Sequence, residues 1–365
     1  MQVSHYLSEQ PWPPFSESLT EWDEAFHELM LNDRLRMKAY RQAIFEAVKP
    51  GDLVLDLGTG TGILSQWALE AGARHVFGVD LSAPILERAV QRIRDAGLAD
   101  RFEPINKLSY DVELPQRVDV LISEIMGNMG DNEDFQPILQ DAIRRFLAPG
   151  GTVLPRSTTS YLVPVAAHQA HENLRTGKIA ALTAHYDIAA LYREKGIRSP
   201  FNMYYDCILP RSSYLSRPAL LRAYHGAWDQ PATYECRLSF TLDRPELLTG
   251  FKAYFVAELT ATTTLDISGD DIEGGETSDS WKHAYLPIAH PIEVRQGDRL
   301  EVIFSRRYPD GGKTFRQCYR WQGWVERAGQ IVERFDQGMD EAAALSGGLV
   351  SPEVPGAAQR ASREG

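Results

Sequence analysis

The sequence predicts an α/β fold: a parallel sheet with crossover helices, followed by an antiparallel β-barrel or sandwich. Three observations predict it. Strand and helix patterns alternate over residues 51–155, the sign of a parallel sheet with crossovers. The apolar run Val54-Leu55-Asp56-Leu57 ends in Gly58-Thr59-Gly60-Thr61-Gly62, and a helical pattern starts at Ile63. After about residue 152 short segments with a period of two take over. A chain of 365 residues has room for two such domains.

Taken in order, residues 1–21 are polar and proline-containing and read as a flexible segment. From Trp22 a helical pattern begins, and Leu31, Leu35, Ala39, Ala43 and Ala47 recur every four residues as one apolar stripe. Asn32 and Asp33 suit a helix start. A strand over 53–57 leads into the glycine turn and a helix over 63–71. A second strand, 75–79, ends at Asp80, with Leu81 and Ser82 beside it. A helix over 84–96 follows, then a strand over 118–122, broken only by Asp119, with Glu124 just past its end. In open α/β sheets ligands bind at the carboxyl ends of the strands, so Asp56, Asp80 and Glu124 are expected to face one crevice. A helix over 135–146 is stopped by the turn Pro149-Gly150-Gly151. The first domain therefore covers 22–152 and the second 153–340. In the second, segments 234–242, 251–259, 299–304 and 317–325 read as strands, with Tyr319, Trp321 and Val325 on one side of the last. Residues about 167–225, more helical and polar, read as an insertion. The tail 341–365, rich in Ala, Gly, Ser and Pro, reads as disordered.

A net charge of -12 offers no general basic surface to nucleic acid and suits a cationic substrate. Cys207, Cys236 and Cys318 are scattered and odd in number, which fits a reducing cytoplasm rather than a disulfide framework. CxxC and HExxH are absent, and His168 and His171 lack further ligands nearby, so no metal site is expected. The N-terminus does not read as a signal peptide, and no apolar stretch approaches the roughly 20 residues of a membrane span.

Glycine lets the backbone turn tightly and approach a ligand, and the helix behind the turn points its free N–H groups into the same space. The dinucleotide fingerprint would need glycine at position 63, where Ile63 stands. The pattern Asp56-x-Gly58-x-Gly60-x-Gly62 instead resembles the first motif of the S-adenosylmethionine-dependent methyltransferases, which implies a Rossmann-like class I sheet. Asp80, 22 residues beyond Gly58, suits ribose hydroxyls.

The stretch 123–133, Ser-Glu-Ile-Met-Gly-Asn-Met-Gly-Asp-Asn-Glu, carries Glu124 and Glu133 at the two ends of a loop. Alone it reads as a glycine loop with Glu133 and Asp134 favouring a helix dipole. In context it resembles the double-E loop of the protein arginine N-methyltransferases. The segment 27–36, His-Glu-Leu-Met-Leu-Asn-Asp-Arg-Leu-Arg, is similar to that family's helix before the cofactor strand. The resemblance implies that His27 and Arg36 bind the cofactor, Arg36 through its carboxylate, and that Met30 borders the substrate. Asp279-Ser280-Trp281-Lys282 falls where the family has its Thr-His-Trp loop. The resemblance covers roughly 22–335 and implies S-adenosyl-L-methionine as cofactor, a dimerisation arm near 185–215 and a homodimer. Its departures are specific. The family's tyrosine segment upstream of His27 has only Phe15 and Trp22 as counterparts. Ser280 replaces the histidine that pairs with the family's equivalent of Asp33, leaving Asp33 without that partner. Tyr110, next to Asp111, stands where the family has an adenine-side glutamate.

These residues suit guanidine chemistry. A guanidinium is cationic at neutral pH, with a pKa above about 12, and so is the cofactor's sulfonium. Two carboxylates neutralise the pair and can grip the planar guanidinium. Glu133 is assigned to take up the proton and Glu124 to orient, with Trp281 packing on the guanidinium face or serving as a barrel core residue. Three readings follow. The first is methylation of free L-arginine or an arginine-derived small molecule, suggested by the divergent N-terminal segment, the altered Thr-His-Trp loop and the lack of an accessory domain. The second is methylation of arginine in proteins or peptides. The third is a cofactor-binding module without catalysis, which the Glu124/Glu133 pair argues against.

Overall fold

The computed structural model describes residues 7–17, 24–181, 187–225, 230–309 and 316–339. Trp22 and the tail 341–365 lie outside the described residues.

The apolar stripe is divided between two helices, α1 (Glu24–Asn32) and α2 (Arg34–Ala47). Asp33 separates them: its backbone is extended and its side chain accepts the Arg36 N–H at 3.0 Å, a helix N-cap. Ala39, Tyr40, Ala43 and Ile44 form the buried face of α2. There follow β1 (Leu53–Leu57), α3 (Ile63–Glu70), β2 (His75–Asp80), α4 (Ala83–Asp95), β3 (Phe102–Asn106), β4 (Val118–Ser123), α5 (Phe135–Phe146) and β5 (Leu147–Leu154). They build a parallel sheet of order β3-β2-β1-β4-β5. The chain runs outward from β1 to β3, then restarts on the other side of β1 with β4. A crevice opens at such a reversal. The polar break at Asp119 has a structural use, since its carboxylate accepts the Leu53 N–H at 2.9 Å. Pro149-Gly150-Gly151 does not precede a strand, as the sequence suggests, but lies within β5. Helix α5 runs straight into that strand, and its pairing with β4 slips between Val118 and Val120 to absorb the irregular residues.

The rest of the chain is antiparallel. Strands β6 (Ser157–Val165), β7 (Tyr205–Cys207), β8 (Ala219–His225), β9 (Tyr234–Thr241), β10 (Glu246–Glu258), β11 (Thr264–Asp266), β12 (His283–Val294), β13 (Arg299–Arg307), β14 (Cys318–Arg327) and β15 (Gln330–Gly338) form two sheets. Their orders are β7-β12-β10-β6-β8, with β11 beside β10, and β15-β14-β13-β9. The sheets share a core: Phe251 of β10 meets Phe335 of β15 at 5.5 Å between ring centroids, and the Trp321 indole N–H donates to the Pro287 carbonyl at 2.7 Å. The inserted stretch holds helices α6 (His168–Arg175) and α7 (Ile188–Lys195), yet β7 and β8 within it join the barrel sheet itself.

Side-chain and backbone contacts tie these parts together. Three threonines of the β10–β11 turn, Thr260, Thr262 and Thr263, donate their hydroxyls to one oxygen of Glu46 on α2 at 2.6, 2.8 and 2.9 Å. These bonds favour the ionised form and hold the Glu46 carboxyl down at about 2. The N-terminal segment, expected to be flexible, is packed over residues 7–17. Trp12 and Asp206 of β7 exchange backbone hydrogen bonds at 2.8 and 3.1 Å, and Glu9 accepts the N–H groups of Gln169 and Ala170 at the start of α6. Glu17 pairs with Lys195 at 3.1 Å.

Candidate active site

A cavity of about 540 Å³ opens at the carboxyl ends of β1, β2 and β4. Its floor is the glycine turn. Gly58 has φ 77°, and a Cβ there would stand 2.7 Å from Ile125 Cγ2, so only glycine keeps this wall open. Gly58 and Gly60 line the cavity, whereas Gly62 does not: its place is against Ala89 of α4, where a Cβ would come within 2.8 Å of the Ala89 Cβ. Asp56 likewise departs from the expectation that it faces the crevice. It is fully buried beneath the turn, accepting from Thr59 Oγ1 at 2.7 Å and Ser65 Oγ at 2.6 Å. Burial raises its carboxyl to about 6 against those two hydrogen bonds. Its work is to hold the turn.

Asp80 does line the cavity, with Leu81, Ser82 and His27 around it. Its two oxygens take the N–H groups of Gly60 and Ser82, each at 2.8 Å, which aims the carboxylate across the turn. The wall expected to carry Tyr110 or Asp111 is made instead by Lys107, Leu108 and Ser109.

At the other end the two glutamates meet. Glu124 follows β4 and is paired with the guanidinium of Arg36 from α2. That guanidinium lies 5.1 Å from the centroid of the Trp281 ring. Burial lowers the pKa of Arg36 from its ordinary value, with Asp33 the first of the groups opposing it. Its Nε is buried with no hydrogen-bond partner among the described residues. Glu133 enters from the far end of the loop and accepts the Ser16 hydroxyl at 2.7 Å. Burial pushes its carboxyl up to about 7, with Ser16 and Arg36 pulling the other way. Met30 completes the wall. Trp281 lines the cavity and is also buried edge-on against Phe255, with its indole N–H donated to the Met126 carbonyl.

Asp33 is not left without a partner. Ser278 and Ser280 both donate their hydroxyls to its Oδ2, the latter at 2.7 Å, and the Ser280 N–H adds a third bond at 3.2 Å. Two small hydroxyls thus tie the α1–α2 junction to the barrel loop. Sequence reasoning missed Ser278, and it missed Asp206, a further acid lining the cavity. Asp206 accepts from Asn128 Nδ2 at 2.7 Å and the Phe15 N–H at 3.0 Å, and burial pushes it up to about 7. Only strand pairing brings β7 here, so no local pattern could mark it. Phe15 and Ser16 also line the cavity, Phe15 resting on Phe26 at 5.0 Å. His168 and His171 lie elsewhere, on Glu246 and the Ile288 carbonyl, and among the described residues no group of three metal-ligating side chains exists.

Comparison with known proteins bears on the domains and the fold. A family model described as "Methyltransferase domain" matches residues 54–151, and one described as "PRMT5 oligomerisation domain" matches 157–325. Probable protein arginine N-methyltransferase 6 of Arabidopsis thaliana is 36% identical over 46% of this chain, which spans 41% of that relative's length. Protein arginine N-methyltransferase PRMT10 of Oryza sativa subsp. japonica is 28% identical over 76% of this chain and 79% of its own. Among solved structures, the Trypanosoma brucei PRMT1 enzyme–prozyme complex with AdoHcy aligns at a TM-score of 0.72 and 22% identity, over 89% of this chain and 99% of that one. Arabidopsis thaliana protein arginine methyltransferase 10 aligns at 0.71 and 19%, over 88% and 99%. The two structures share the fold: a parallel α/β sheet followed by an antiparallel barrel. In domain order, sequence and fold the chain is thus similar to the protein arginine N-methyltransferases.

Proposed function

We propose that this protein methylates a guanidino nitrogen of arginine in proteins or peptides, with S-adenosylmethionine as the methyl donor. One observation carries the reading: a guanidinium already fits between Glu124 and the Trp281 ring, in the cavity that also holds Glu133 and the glycine turn. The matched relatives are named for protein arginine. They favour this substrate over the free arginine that the sequence put first.

The residues fit the cofactor. Gly58 and Gly60 make a cradle that a Cβ at 58 would fill, Asp80 presents an acid to ribose hydroxyls, and Arg36 carries an unsatisfied buried N–H suited to a carboxylate. Bound there, it supplies an electrophilic methyl group. Glu124 and Glu133 then offset two cations brought together in a buried site. Glu124 orients the substrate guanidinium, and Trp281 packs on its face. Glu133, with a carboxyl near 7, takes the proton released as nitrogen bonds to carbon. Met30 borders the substrate, and His27, Leu81 and Ser82 border the cofactor. We assign a homodimer to the chain, which light scattering at micromolar concentration checks, and a reducing compartment suits its three scattered cysteines.

The test is a methyl-transfer assay with labelled cofactor, run on a Gly-Arg-rich peptide and on free L-arginine, with mass spectrometry of the products. Transfer to the peptide is expected. Transfer to free arginine alone overturns the protein reading.

A further inference from the structure

Glu133 must point into the cavity, yet it stands on a loop that departs from regular structure. Within the loop, Asn132 bonds back to the Met129 N–H at 2.9 Å and to Asn128 at 3.1 Å. The next residue after Glu133, Asp134, has φ 57° and ψ 23°, a left-handed conformation uncommon for a side-chain-bearing residue. Such a conformation persists where the surroundings enforce it.

The surroundings are barrel side chains. Arg306 of β13, fully buried, pairs with the Asp131 carboxylate at 2.5 Å and donates to the Asp131 carbonyl at 3.0 Å. Its Nε donates to the Ala232 carbonyl at 2.7 Å, and its plane lies over the Tyr234 ring at 5.0 Å. Burial works against its charge, but Asp131 and the neighbouring phenols more than offset this and raise its pKa. Gln317 reaches the Asp134 carboxylate at 2.8 Å and the Asp131 carbonyl at 3.3 Å, and the Tyr308 hydroxyl donates to the same Asp134 oxygen. None of these three barrel residues lines the cavity.

We propose that Arg306, assisted by Gln317 and Tyr308, is a positioning residue for Glu133. It acts through Asp131 and Asp134, which it and its neighbours grip on either side of the glutamate, so that the barrel sets the direction of the carboxylate. The inference rests on the proposed methylation of arginine. It adds that the second domain shapes the base, not only the substrate groove.

The test uses full-length wild type, Arg306→Met, Arg306→Lys, Gln317→Met and Glu133→Gln. Infrared spectra follow the protonated carboxyl of Glu133, assigned by its loss in Glu133→Gln, as pH is varied. Other charges around it are Arg36 on α2, Glu124 after β4 and Asp206 on β7, and all stay in place. In Arg306→Met and Gln317→Met the midpoint is expected to move by about one unit or more, as befits a carboxyl losing its fixed environment. In parallel, kcat falls at least about tenfold while KM for the cofactor stays within about twofold, and Arg306→Lys recovers part of kcat. A midpoint or a kcat left at its wild-type value in both variants overturns the proposal. If Arg306→Met does not fold, Gln317→Met decides, since it leaves the Arg306–Asp131 pair intact. The infrared midpoint needs no turnover. A wild type inactive on every arginine substrate therefore overturns the functional reading, while the midpoints still decide the positioning role.

Discussion

The guanidinium of Arg36 rests on the carboxylate of Glu124 and 5.1 Å from the centroid of the Trp281 ring. One cation of the chain itself thus occupies the contacts proposed for the substrate's. Glutamine at 124 keeps the shape and removes the charge. Glu124→Gln is expected to lower kcat by about a hundredfold or more, the scale of losing an electrostatic partner in a closed site. Cofactor affinity, read by calorimetry, should change far less. A variant with wild-type kcat would remove the double-glutamate mechanism.

Glu133 sets the pH dependence. Its carboxyl is pushed up to about 7 in the folded protein, so the basic form accumulates as pH rises through about 7. The kcat profile should therefore show an acid limb near that pH, absent from the residual activity of Glu133→Gln. Stability runs the opposite way. A raised carboxyl favours the folded state below the ordinary range, and that contribution is lost as pH rises through about 7. Glu133→Gln should melt higher than wild type at about pH 8 and lose that advantage near about pH 4, below the unfolded value.

Gly58 and Gly62 have different jobs, and alanine separates them. At 58 the added methyl meets Ile125 at the cavity wall, so cofactor affinity should fall in addition to the backbone cost that φ 77° brings there. At 62 it meets Ala89 on α4 while φ is 79°, so the cost falls on stability, about 1–3 kcal/mol for overpacking. Calorimetry and thermal melts on the two variants distinguish the outcomes.

Asp33 is tied to the barrel by two serines. Removing Ser280 alone leaves the Ser278 hydroxyl on the same oxygen, and the effect on melting should be small. Removing both leaves a buried carboxylate underbonded, a loss of about 1–3 kcal/mol. A strictly additive pair of single variants in chemical denaturation would contradict this shared-acceptor arrangement.

Much of the first domain could be read from local pattern. β1, the glycine turn, β2 and α5 follow from apolar runs, turn residues and helix periodicity that are all local. Glu124 and Glu133 stood out because a loop put them at its two ends. What escaped notice is held by long-range pairing. Asp206 reaches the cavity because β7 joins β12, and Ser278 reaches Asp33 across 245 positions. In the sequence Ser280 stands out as a missing histidine, yet its hydroxyl suffices to bond the acid. Residues 7–17 looked like a loose end because their order comes from backbone pairing with β7, which composition does not encode. The irregularity at Gly150 was visible, but not that a strand would absorb it.

The clasp at Glu46 bears on how the two parts of the molecule can move. Three hydroxyls on one carboxylate join the helix that carries Arg36 to the barrel that carries Trp281. To part the two halves like jaws, all three bonds must rupture together. The short turn at Phe15–Glu17 is held by the Phe15 N–H on Asp206, by Ser16 on Glu133 and by Glu17 on Lys195 and Tyr204. A substrate guanidinium that takes the Glu133 oxygen bonded by Ser16 must displace that hydroxyl, so the turn at Phe15–Glu17 feels the substrate directly.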